Sequence, residues 1–155
     1  DPKSLDIVIE PFLDNEALGM STLKFPIESY PEFMNPNIVK VVCDEQDNAL
    51  YFSRSPMPYF REEGGLLEAW KREGKRPREL QPVPMKHIGV YAYRTEFLQA
   101  VSRMPKTYLE LAERLEQLRV LAWGFRIKAV TAPVDSVSVD VPEDVAKVEA
   151  LIGRE

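Results

Sequence analysis

The stretch "MKHIGVYAYR", residues 85–94, carries the side chains best suited to chemistry. His87, the only histidine of the chain, stands at the head of a run of β-branched and aromatic residues that predicts a mostly buried strand. In α/β proteins, ligands gather at the ends of such strands. A ligand contact by His87 is therefore one interpretation. The other is that a lone histidine is more often a surface or hydrogen-bonded structural residue.

The same strand positions two tyrosines. Because side chains alternate along a strand, Tyr91 and Tyr93 are predicted to share one face, opposite Ile88, Val90 and Ala92. We expect at least one of the two phenol hydroxyls to reach a pocket at this face. The alternative, that both rings are core aromatics, is equally consistent with the pattern.

Composition narrows the class of protein. The chain has 155 residues, of which 45% are hydrophobic and 29% charged, as is typical of one soluble globular domain. Its net charge of -5 argues against nucleic acid as a partner. Cys43, the only cysteine, cannot form an internal disulfide, which favours a reducing cytoplasm. No apolar run approaches the ~18 residues of a membrane span, so no membrane insertion is expected.

The first half of the chain predicts a helix, a strand and a hairpin. The helix begins at the first residues and should be bent or shortened by Pro11. Its predicted apolar face consists of Leu5, Val8, Ile9, Phe12 and Leu13. Residues 20–25 suit a strand, and the β-rich runs 38–43 and 49–53 flank the turn-forming "DEQDN" as a hairpin.

The second half alternates between strand and helix patterns. Residues 66–84 carry charges of both signs and predict a surface excursion with one short helix. Thr107 and Glu110 form a T-x-x-E capping box, which predicts a helix that ends near Gly124. "RIKAVTA" predicts a further strand and "PEDVAKVEALI" a last helix. This alternation indicates an α/β fold with at least some parallel pairing.

Four segments, "NALYFSRSPMPY", "KHIGVYAYR", "ERLEQLRVLAWG" and "VDVPEDV", follow one another in the order found in one family. Together they closely resemble the CMP-Kdo synthetases, the 3-deoxy-manno-octulosonate (Kdo) cytidylyltransferases. The resemblance spans residues 1–155 and implies a Rossmann-like three-layer α/β fold with a mixed sheet. It also implies a cytoplasmic homodimer that uses CTP, Kdo and Mg²⁺ to make CMP-Kdo for lipopolysaccharide.

The resemblance also implies that part of the enzyme is absent from this sequence. In the family, a helix like "DPKSLDIVIEPFLDN" follows a Q-G-D-E-P motif and a nucleotide-binding loop rich in Arg, Gly and Lys. Residues 1–155 are therefore expected to be the C-terminal sugar-binding and dimerisation part, without the N-terminal nucleotide-binding half and without activity alone. Two alternatives stay open: a cytidylyltransferase for a sialic-type sugar acid, and a truncated, non-catalytic dimerisation or binding module.

The implied reaction sets the chemistry that the site must supply. A sugar hydroxyl attacks the α-phosphorus of CTP and pyrophosphate leaves, while a divalent metal neutralises the phosphates. By resemblance, Asp140 is the catalytic metal ligand, and His87 contacts the sugar acid as a donor to its carboxylate or to a hydroxyl. We also expect a substrate contact from Tyr91.

Three further residues have two interpretations each. The resemblance assigns Glu116 and Gln117 to the sugar hydroxyls, and we expect both to flank the apolar stripe of their helix and project past it. The alternative is an ordinary solvated helix face. Arg54, at the end of the second hairpin strand, is a candidate contact to cytidine or phosphate. Its alternative role is to hold the turn in place.

The assignment of Asp140 predicts the effect of Asp140→Asn in the full-length enzyme. As a loop carboxylate near a helix start, Asp140 would contribute only roughly a few tenths of a kcal/mol to stability. As a metal ligand, its loss should reduce turnover by orders of magnitude while folding is kept, because the metal offsets charge on the transferred phosphoryl group. The measurement is a steady-state rate across a Mg²⁺ titration, with a thermal melt as control. A folded variant that runs near the wild-type rate at limiting metal would end the assignment.

Overall fold

The computed structural model describes residues 2–135 and 149. The first helix, α1, spans Pro2–Ile9 and continues as a 3-10 turn over Glu10–Phe12. Pro11 explains this change, because a proline has no N–H to continue the α-helical hydrogen bonds. The predicted apolar face is only partly confirmed: Val8 is buried, whereas Leu5, Ile9 and Leu13 are exposed.

The remaining elements agree with most of the predicted ones. The strands are β1 (Met20–Pro26), β2 (Lys40–Cys43), β3 (Ala49–Ser53), β4 (Met85–Tyr93) and β5 (Lys128–Thr131). The helices are α2 (Tyr30–Met34), α3 (Gly64–Glu73), α4 (Thr95–Arg103), α5 (Tyr108–Glu113) and α6 (Gln117–Ala122). The predicted hairpin, the strand at 20–25 and the strand of His87 are confirmed. The last predicted helix lies outside the described residues.

The five strands form one mixed sheet in the order β3-β2-β4-β1-β5. β1 and β5 are parallel, and the pairs β1–β4, β2–β3 and β2–β4 are antiparallel. The two edge strands, β3 and β5, also approach each other. Ala49 N donates to Ile127 O and Ala129 N donates to Asp47 O, each at 2.8 Å. The α/β class with a mixed sheet is thus confirmed.

β4 is the strand from which the candidate site is built. It pairs with β1 along its length, but the register shifts: Thr22 lies opposite Tyr91, and Leu23 lies opposite Ile88. The two residues between them, 89 and 90, form a bulge without partners in β1. On its other edge β4 pairs with β2 only at residues 85 and 86. Within the described part of the chain, the second half of β4 is therefore paired on one side only.

Two apolar clusters cover the two faces of the sheet. The larger one joins the hairpin and β1 to the α6 region and consists of Met20, Val41, Ala49, Phe52, Leu115, Leu118, Val120 and Ile127. The smaller one lies under α1 and consists of Val8, Leu23, Ile88 and Ala132. Because Ile88 packs in the smaller cluster, strand alternation directs His87 to the larger one.

Residues 66–84 are not the surface excursion that their charges predicted. Trp70 on α3 is 0% exposed and packs with Ile27, Phe33, Phe60 and Leu80 in a third cluster. Its indole N–H donates to Glu28 O at 2.7 Å, which satisfies its one polar atom. The charged residues cover the outside of a small aromatic core. In residues 2–135, none of the helices is long and apolar enough to cross a membrane.

The third cluster predicts opposite outcomes for the two tryptophans. Trp70→Ala should lower the free energy of unfolding by about 3–5 kcal/mol, because it leaves a large cavity. Trp123→Ala is the matched control: Trp123 is 50% exposed, and its loss should cost less than about 1 kcal/mol. Urea unfolding followed by far-UV circular dichroism measures both. Equal effects of the two substitutions would show that residues 66–84 are not packed as described.

Candidate functional site

His87 is hydrogen-bonded and lies on the face of β4 that is directed toward the larger apolar cluster. Its Nε2 lies 2.8 Å from Thr22 Oγ1, and its ring packs edge-on against Phe52 with a centroid distance of 5.0 Å. Burial lowers the pKa of His87 to about 4, so the imidazole is neutral at physiological pH. His87 is therefore hydrogen-bonded within the fold, as the structural interpretation expected, and its contact to a ligand stays a prediction.

The two tyrosines lie on the same face as His87, as strand alternation predicted. The ring centroids of His87 and Tyr91 are 5.3 Å apart, and those of Tyr91 and Tyr93 are 6.1 Å apart. Burial raises the pKa of both phenols, and the nearby charge of Glu116 raises the pKa of both further. Both hydroxyls thus keep their protons. With 36% of its surface exposed, Tyr91 is not a closed core residue.

The predicted pair Glu116 and Gln117 is divided between surface and core. Glu116 is exposed just before α6, near enough to the two tyrosines to affect their pKa values. Gln117 is only 5% exposed, so the expectation that it projects past the apolar stripe is wrong. The physical reason is that the helix does not run through this point. The left-handed Arg114 interrupts the helix, so α6 has a buried face of its own, which includes Gln117 and Leu118.

The break between α5 and α6 corrects the predicted continuous helix. The capping box opens α5 as predicted, with Thr107 N donating to Glu110 Oε2 at 3.3 Å. The helix then stops at Arg114, whose φ of 57° is left-handed. Glu113 O accepts a hydrogen bond from Arg54 Nε at 2.9 Å. This bond gives that carbonyl a partner outside the helix, where a continuous helix would bond it to residue 117.

Glu113 joins this helix break to the end of β3, and sequence reasoning missed it. One carboxylate oxygen accepts from Ser53 Oγ at 2.5 Å, and the other accepts from Arg54 N at 2.9 Å. Its partners lie about 60 positions earlier in the chain, and we find no local pattern that would have pointed to them. Glu113 therefore holds the segment of Glu116 against the sheet.

Of the two roles predicted for Arg54, the structure supports the one of holding the turn in place. Besides its bond to Glu113 O, its Nη1 donates to Pro36 O at 3.0 Å. The guanidinium therefore connects the end of β3 to the end of α5 and to the loop between α2 and β2. A contact to cytidine or phosphate stays a prediction.

The predicted metal ligand lies outside the part of the chain that the structure describes. Asp140 falls in the segment 136–148, so its role stays a prediction. Among residues 2–135 and 149, no three His, Cys, Asp or Glu side chains converge as a metal site.

The chain is similar in sequence to one family of enzymes. A family model described as cytidylyltransferase matches residues 1–127. The 3-deoxy-manno-octulosonate cytidylyltransferase of Geotalea daltonii is 48% identical over 148 residues, covering 96% of this chain and 56% of that protein. The enzyme of the same name from Geobacter metallireducens is 46% identical over 154 residues, covering 99% and 59%.

The fold agrees with that similarity. A solved structure of CMP:2-keto-3-deoxy-manno-octonic acid synthetase complexed with CTP superposes with a TM-score of 0.81 at 35% identity. The match covers 99% of this chain and 56% of that one. The chain thus spans a little over half the length of the relatives it matches, and the comparisons do not show that the matched part is C-terminal. On the family model and the shared fold, the chain belongs to the cytidylyltransferase family.

Proposed function

We propose that this chain supplies the sugar-acid binding part of an enzyme that makes CMP-Kdo and pyrophosphate from CTP and Kdo. One observation carries the proposal: the face of β4 brings His87, Tyr91 and Tyr93 together, next to Glu116. The relatives at 46–48% identity, named as Kdo cytidylyltransferases, support Kdo rather than a sialic-type acid. The solved relative's CTP supports the nucleotide.

The residues of this face suit the groups of an acidic, polyhydroxylated sugar. The protonated phenols of Tyr91 and Tyr93 can donate to the sugar carboxylate. Glu116 can accept from sugar hydroxyls, and its charge acts on both tyrosines. In the reaction, the sugar hydroxyl oxygen forms a bond to the α-phosphorus as the bond to pyrophosphate breaks. The role of this face is to hold that hydroxyl in position.

The remaining parts of the proposal rest on the family resemblance. They are a homodimer formed through this part of the enzyme, a cytoplasmic location and Mg²⁺ held with the help of Asp140. Bound Mg²⁺ would offset the charge of the CTP phosphates. A non-catalytic dimerisation module is the other outcome, and Kdo-dependent turnover of CTP by the full-length protein distinguishes the two.

The proposal predicts a selective effect of His87→Ala in the full-length enzyme. The KM for Kdo should rise roughly 10-fold, because a hydrogen bond and a ring contact to the sugar are lost, while the KM for CTP changes little. Ser102→Ala on α4 is the control, since its hydroxyl bonds only to Gln99 O in its own helix. Steady-state kinetics with each substrate varied measure the effect. Unchanged Kdo dependence together with a collapsed melting temperature would support a purely structural His87.

The link made by Glu113 predicts a second selective effect. Glu113→Gln keeps the shape of the side chain but weakens its charge-assisted bonds to Ser53 and to Arg54 N, at a cost of about 1–3 kcal/mol in stability. Because the segment of Glu116 is then held less firmly against the sheet, the KM for Kdo should rise severalfold at nearly constant KM for CTP. Glu68→Gln, an exposed change on α3, is the matched control. A destabilised variant with unchanged KM for Kdo would separate Glu113 from the site.

A further inference from the structure

The hydroxyl of Thr22 lies among three polar atoms of β4. Thr22 is fully buried on β1, and its Oγ1 is 2.8 Å from His87 Nε2, 2.8 Å from Val90 O and 3.3 Å from Ile88 O. A threonine hydroxyl has one proton to donate and two lone pairs that accept. The carbonyl oxygens can only accept. The direction of the hydrogen bond between Thr22 and His87 therefore depends on which acceptor receives the single proton of the Thr22 hydroxyl.

The geometry decides the direction of the hydrogen bond to His87. With Val90 O at 2.8 Å, the Thr22 proton is directed to this carbonyl, and Oγ1 is left as the acceptor for the ring. His87 Nε2 must then carry the proton that makes the 2.8 Å contact. The opposite arrangement would bring Oγ1 and Val90 O to 2.8 Å with no proton between them. In a neutral imidazole with its proton on Nε2, Nδ1 is an acceptor.

The bulge in β4 explains why these carbonyls are available to Thr22. Residues 89 and 90 have no partners in β1, because the register passes from Tyr91 directly to Ile88 opposite Thr22 and Leu23. The carbonyl of Val90 thus lies beside the Thr22 hydroxyl instead of in a regular ladder pair. The bulge places Val90 O where it accepts the Thr22 proton, and Thr22 Oγ1 then accepts a hydrogen bond from His87.

We infer that Thr22 is a positioning residue that fixes the His87 tautomer, so that His87 presents an acceptor and reads a hydroxyl of the substrate rather than its carboxylate. Nδ1 makes no hydrogen bond to any residue in the described part of the chain, so it is free to accept one. A carboxylate has no proton to donate to it, whereas a sugar hydroxyl has. The substrate half of this inference rests on the proposed function. It replaces the expectation that His87 acts as a donor to the carboxylate or to a hydroxyl of the sugar acid.

The tautomer is measured without any substrate. His87 is the only histidine of the 155-residue chain, so ¹⁵N-histidine labelling gives one ring, and its long-range ¹H–¹⁵N correlations identify the protonated nitrogen. We expect protonated Nε2 in the wild type and in Thr22→Ser, and a mixture of tautomers in Thr22→Val. Ser21→Ala is the matched control, because this buried hydroxyl of the same strand bonds to Val8 O on the opposite face. Ser21→Ala should leave the tautomer unchanged.

Kinetics of the full-length enzyme test the substrate half. Thr22→Val should raise the KM for Kdo roughly 2- to 10-fold at constant KM for CTP, and Thr22→Ser should restore it. Protonated Nδ1 in the wild type, or a Thr22→Val tautomer identical to wild type, overturns the positioning role. If Thr22→Val changes the tautomer but not the KM for Kdo, while His87→Ala does raise that KM, then His87 does not accept a hydrogen bond from a substrate hydroxyl. If His87→Ala has no effect either, the proposed function itself fails.

Discussion

The antiparallel pairing of β1 with β4 is the constraint on which the candidate site depends. Side chains alternate along a strand, so a slip of one residue would send His87, Tyr91 and Tyr93 to the face of α1. The apolar residues between them oppose such a slip, because Ile88 packs with Val8 and Leu23 on that face. The burial of small aliphatic side chains under α1 therefore holds the polar and aromatic ones on the other side.

Two long-range contacts then bring the remaining polar groups to that side. The Glu113 carboxylate receives hydrogen bonds from the end of β3 and holds the segment that follows α5 against the sheet, where Glu116 lies near the tyrosines. Thr22 holds the imidazole of His87 from the neighbouring strand. Each contact joins residues about 60 positions apart, so the site is a property of the folded sheet rather than of a motif. Tyr91 and Tyr93 lie on the half of β4 that, within the described residues, is paired on one edge only.

Sequence patterns correctly predicted the structural features that depend on local interactions along the chain. The hairpin, the strand of His87, the capping box at Thr107 and the effect of Pro11 all follow from propensity or from a missing N–H, and all are present. The patterns were wrong where tertiary contacts overrode them. Gln117 belongs to the buried face of α6, and the interruption before this helix involves a bond from Arg54 that no local rule contains. Trp70 was hidden among charges, although its large apolar surface favours burial.

The most direct test of whether this face of β4 holds the sugar acid is an intermolecular nuclear Overhauser measurement. Full-length protein labelled in its aromatic and aliphatic side chains would be saturated with unlabelled Kdo, with CTP present and divalent metal chelated to prevent turnover. Bound Kdo should show contacts to the rings of His87 and Tyr91 and none to Val8 or Ile88. Contacts to Val8 or Ile88 instead, or saturable binding without any contact to the two rings, would contradict the site described for this chain.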